Sequence, residues 1–62
     1  MADRYAIQEE IRGVWITHTA REYRSHACQV FWQMYDQTMI HTVTRWRLID
    51  TTTQEIISRV GF

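Results

Sequence analysis

Residues 19–36 read TAREYRSHACQVFWQMYD, and the interpretation of this stretch decides the fold. At about 100° per residue, Ala20, Tyr23, Ala27, Cys28, Val30, Phe31, Met34 and Tyr35 share one arc, while Arg21, Glu22, Ser25, His26, Gln29, Gln33 and Asp36 share the opposite one. Arg24 intrudes on the apolar arc, in a first turn where its stem can lie flat. Trp32 sits at the rim. Thr19-Ala20-Arg21-Glu22 has the form of a capping box, with the Thr19 hydroxyl accepting from the Glu22 amide and Glu22 reaching back. The spacing predicts an amphipathic helix over 20–36.

Downstream, Met39 to Ile49 is rich in β-branched and aromatic residues and alternates with period two. One face carries Ile40, Thr42, Thr44, Trp46 and Leu48, and is the more apolar, hence the inner one. The other carries Met39, His41, Val43, Arg45, Arg47 and Ile49. Asp50-Thr51-Thr52-Thr53 suits an Asx- or Thr-stabilised turn, after which Glu55 to Val60 returns as a hairpin partner. Upstream, the first eighteen residues fit two templates. As a strand, Tyr5, Ile7, Ile11 and Trp15 share a face, with Arg4, Gln8, Glu10 and Arg12 on the other. As a helix, Ile7, Ile11, Val14 and Trp15 align, but Tyr5 and Ile16 fall off the stripe. Gly13 costs a helix about 1 kcal/mol, marks a bulge or bend in a strand, and precedes the strand-like Val14-Trp15-Ile16-Thr17. A bent strand or loose hairpin is the better fit. The expected architecture is α+β, in the order β-α-β-β: a small antiparallel sheet with one amphipathic helix packed on one face.

Working outward to composition, 62 residues form a single domain, 1–62, without linker, repeat or low-complexity tract. A chain of this size buries only about 60% of the surface it exposes when unfolded. Such domains usually add disulfides, a metal or a partner. The single cysteine, Cys28, excludes an internal disulfide. Dense aromatic packing or homo-oligomerisation therefore has to compensate, and eight aromatic residues are available for it. Seven basic and seven acidic residues give zero net charge, with every basic residue an arginine. A GC-rich coding sequence explains the missing Lys and Asn; a demand for bidentate or stacking contacts is the alternative. No signal peptide or membrane-spanning run is expected, and a lone thiol fits a reducing cytoplasm, of the cell itself or of an infected host.

Chemistry-bearing constellations are sparse. His26 and Cys28, two apart on a helix, point about 200° away from each other and cannot ligate one ion. No Gly-rich phosphate loop, nucleophile elbow or carboxylate pair is present. Neither an enzyme, a metal nor a cofactor is expected. The candidate partner-binding residues are the cations alternating on the outer sheet face, His41, Arg45 and Arg47, with Arg59 beside them on the next strand, and Trp32 at the helix rim, where Tyr35 and Phe62 could join it in an aromatic docking patch. Charge that merely protects a solvated strand explains the same cations. The expectation is a small protein-binding module, an inhibitor or adaptor that occludes a surface of a larger complex, as phage and mobile-element products of this size do. Nucleic-acid binding through the arginine face is the alternative, which zero net charge disfavours.

Overall fold

A computed structural model describes residues 3–38 and 43–61. Alternating apolar side chains make β1 (Tyr5–Ile11), which turns at Arg12-Gly13 into β2 (Val14–Arg21). Helix α1 (Arg24–Gln37) follows, then β3 (Trp46–Asp50) and β4 (Glu55–Val60). The four strands form an antiparallel sheet in the order β2-β1-β3-β4, with α1 packed on one face. The α+β class and, among the described residues, the single covering helix agree with the sequence reading. The N-terminal segment differs in detail, being a tight hairpin of two strands.

That hairpin was hard to read because its turn carries the wrong residue. Arg12 (φ 54°) and Gly13 (φ 80°) are both left-handed, as a two-residue mirror-image turn requires. Asn-Gly announces such a turn; Arg-Gly does not, and the Arg12 Cβ makes the conformation costly. The turn also corrects the expected faces. Tyr5, Ile7 and Ile11 do share a side, but the chain reverses before Trp15, which pairs with Glu10 and so lies on the opposite face with Gln8. The irregularity expected at Gly13 falls instead between Ile7 and Gln8, where β2 carries His18 as an extra residue.

The helix begins later than expected, and the capping box does not form. Thr19, Ala20 and Arg21 remain in β2, where Arg21 pairs with Tyr5, Ala20 with Ala6 and Thr19 with Ile7. The Thr19 hydroxyl accepts from Arg21 Nη1 rather than from a helix amide. Sheet pairing has overridden the local signal, leaving Tyr23 as an N-cap with no side-chain hydrogen bond and 66% exposed. The rest of the apolar arc is as expected. Ala27 and Phe31 are fully buried, with Cys28, Val30, Met34 and Tyr35 packed around them.

Across from them stand Ile7, Leu48 and Trp46. Trp46 and Leu48 are thus inner residues, while Thr44 precedes the strand, which is shorter than the 39–49 span. Met39, Ile40, His41 and Thr42 lie outside the described residues, as does Phe62. The Asp50–Thr53 turn forms: the Asp50 carboxylate accepts from the Thr52 amide at 2.9 Å. The same buried carboxylate takes two bonds from Arg4, Nε at 2.8 Å and Nη2 at 2.7 Å, tying the start of β1 to the end of β3.

Two outcomes follow from these local features. Arg12→Asn relieves a left-handed arginine and should raise unfolding stability by about 1 kcal/mol in urea titrations. The Arg4 hydrogen bond holds the Asp50 carboxyl down at about 2, against 3.8 normally. A depressed carboxyl stabilises the fold above its unfolded value, and that contribution disappears as pH falls through the folded one. Stability should therefore be level from pH 7 to about 5 and decline between about 4 and 2. Asp50→Asn should be less stable at pH 7 and show a shallower acid limb.

Candidate functional site

The register settles which side chains share the face that α1 leaves uncovered. Arg47 stands opposite Gln8 on one side and Arg59 on the other, Gln8 opposite Thr17, and Glu10 opposite Trp15. Residues directly opposite across antiparallel strands project to the same side. Because Trp46 and Leu48 face the helix, Arg47 and its partners face away from it. Arg45, two residues earlier, projects the same way, and its carbonyl accepts the Glu10 amide at 2.8 Å. Ala6 and Ile49, paired at the centre, are buried and form the floor of this face.

Arg47 is the organising residue. Its Nε donates to Gln8 Oε1 at 2.8 Å, and Gln8 Nε2 in turn donates to Thr17 Oγ1 at 3.0 Å. The side chain therefore reaches from β3 over β1 and lays its guanidinium on the Trp15 indole of β2, 4.0 Å from the ring centroid. A long, flexible cation is thereby held flat across three strands. Arg59 is its cross-strand neighbour, and Arg45 is 3.6 Å from Glu10 through Nε and Oε1. Among the described residues, this face carries Arg45, Arg47 and Arg59, with the acid Glu10 built into it.

The residues singled out from sequence do not all meet here. Arg45, Arg47 and Arg59 do. His41 lies outside the described residues. Trp32 is on α1, beyond the other face of the sheet, half exposed and packed edge-on against Phe31 (5.1 Å) and Tyr35 (5.6 Å). It cannot join the arginines in one contact. Two members of the site, Trp15 and Gln8, were not singled out from sequence. The signal for them existed in period two, but assigning Trp15 to this face required knowing that the chain reverses at Arg12-Gly13.

A second polar cluster sits on the helix side of the sheet. The Glu9 carboxylate accepts from Thr44 Oγ1 at 2.5 Å and bonds His18 Nε2 at 2.8 Å. The His18 ring stacks on Trp46, centroids 4.7 Å apart. The Thr44 hydroxyl, and then His18, hold the Glu9 carboxyl below its ordinary value against the desolvation that raises it. This cluster anchors the extra residue of β2 and the approach to β3. Glu9 lies between Thr44 and His18 and bonds both. Among the described residues, no three His, Cys, Asp or Glu side chains converge as a metal site requires, and no helix is long and apolar enough to cross a membrane.

If Trp15 and Gln8 set Arg47 in place, Arg47 and Trp15 must be energetically coupled. A double-mutant cycle with Arg47→Ala and Trp15→Ala, read by urea unfolding, should return a coupling of about 0.5–1 kcal/mol. Additive losses would show that the two do not support each other.

No family model, curated protein or solved structure matches the chain. The functional reading therefore rests on the geometry of its own side chains.

Proposed function

We propose that this domain is a non-enzymatic protein-binding module that docks its helix-free sheet face, centred on Arg47, onto an acidic surface of a larger partner. It acts by covering that surface, as an inhibitor or adaptor. The observation that carries the reading is the clamped Arg47: stacked on Trp15, fixed through Nε by Gln8, and flanked by Arg59 and Arg45. A guanidinium already held in one orientation loses little conformational entropy when a carboxylate arrives. Arg and Trp also dominate the energetics of protein interfaces when they sit at the centre of a patch. Phosphate binding fits the same face less well. Affinity for a nucleic-acid backbone grows with the number of cations engaged, whereas this chain carries no net charge and places Glu10 against Arg45.

Affinity capture followed by titration of the purified partner tests this. Arg47→Ala should weaken the complex about 30-fold or more, and Arg59→Ala by a smaller factor, with circular dichroism unchanged. A partner that binds both variants as well as the wild type would overturn the proposal. So would oligonucleotide binding at low salt that falls steeply as salt rises, which is the mark of phosphate contacts.

A further inference from the structure

A separate feature is the outer edge of β2. Among the described residues, this eight-residue strand pairs with β1 alone. Along the other edge, every second residue turns its backbone N–H and C=O away from β1, the arrangement to which another extended backbone can add. Natural edges are defended by charge, proline or bulges. The opposite edge, β4, has Glu55, Arg59 and an irregularity of its own. In β2 the defences lie in the C-terminal half: His18 is the extra residue, and the Arg21 guanidinium folds back onto the Ala20 carbonyl at 2.7 Å. Val14-Trp15-Ile16-Thr17 has neither charge nor irregularity.

Apolar surface lies at the same place. Ile11 pairs with Val14, and Ile16 with Glu9, so all three apolar side chains are on the helix side of the sheet. They lie toward the hairpin tip and remain 41%, 57% and 43% exposed in the order Ile11, Val14, Ile16. A cluster of exposed aliphatics beside a strand with no second strand neighbour among the described residues marks a contact site.

We infer that a second copy of this chain occupies this edge, the two β2 strands pairing antiparallel about a two-fold axis at Trp15. The strand complements itself in that register. Val14 meets Ile16 of the second copy, Trp15 meets its own equivalent, and no charge opposes a like charge. A two-fold axis normal to the sheet keeps inner residues beside inner residues, which requires an even register. Centring on Trp15 ends the pairing at Thr17, short of the extra residue His18. The two four-stranded sheets become one continuous sheet of about eight strands by this strand addition. Both helices then lie on one side and both arginine faces on the other. The pairing also covers apolar surface at Val14 and Ile16 that the fold leaves exposed.

The pairing segment is short, so the dimer is weak and has to be sought across concentration. Sedimentation equilibrium of the full chain from about 10 μM to about 1 mM covers the range for an interface below standard size. The expected result is an apparent mass that rises twofold, with amide exchange at Val14–Thr17 slowing as concentration increases. Ile16→Lys, at an exposed position, should shift dimerisation to at least about tenfold higher concentration, while Ile56→Lys on the β4 edge should leave it unchanged. A monomer throughout overturns the inference. So does a dimer whose protection maps elsewhere, one that Ile16→Lys leaves intact, or one that Ile56→Lys abolishes. The exchange measurement needs no substitution and decides the matter even if a variant fails to fold. Partner binding is read separately: Arg59→Ala should weaken capture without altering the mass.

Discussion

Everything in this domain depends on one contact, the seating of Phe31 and Ala27 of the helix on Ile7, Leu48 and Trp46 of the sheet. A 62-residue domain has a net stability of about 3–9 kcal/mol, and truncating a buried phenylalanine costs about 3–5 kcal/mol. One side chain therefore carries a large part of the margin. The contact also has a directional consequence. By burying the Ile7–Leu48–Trp46 side of the central strands, it commits Gln8, Arg47 and Arg59 to the opposite side, because successive residues of a strand alternate faces. The location of the candidate site is thus a by-product of where the core forms.

The two faces use their polar groups differently. Beneath and beside the helix, Arg4 with Asp50, and Thr44 and His18 with Glu9, fasten strand ends and an irregular segment to their neighbours. These are charge-assisted bonds made to partly or wholly buried carboxylates, where an unpaired partner would be costly. On the open face, the Gln8–Arg47–Trp15 arrangement crosses three strands and still leaves its cation at the surface. The first group is structural fastening. The second is a preset cationic surface, and that difference is the reason for placing the binding function there rather than at the His18 cluster.

Much of the fold could be read from the residues. The helix arc through Ala27, Phe31 and Met34, the inner placement of Trp46 and Leu48, the Asp50 turn and the return strand at Glu55–Val60 all follow from periodicity and turn chemistry. The misreadings share a cause. Thr19–Glu22 has a good local capping pattern, but Tyr5, Ala6 and Ile7 compete for the same backbone across the sheet, and those partners are distant in sequence. Arg12-Gly13 makes a turn whose usual sequence signature it lacks. At Thr19–Glu22 it was pairing with β1, and at Arg12-Gly13 closure of the β1–β2 hairpin, that set a conformation local preference alone would not have chosen.

For the site, sequence by itself determined that Arg45 and Arg47 alternate with Trp46 and Leu48, and hence that the arginines and the core residues take opposite faces. It could not determine what Arg47 touches. Trp15 is far from Arg47 along the chain, and their stacking needs β1 to lie between β2 and β3, a strand order that no local pattern encodes. Nor could it separate Trp32 from the arginines, since that separation requires knowing that the helix covers the sheet face they do not occupy. Alternation along a strand is local geometry and is written in the sequence. The neighbours of a side chain across a sheet depend on long-range pairing, which only the folded chain decides.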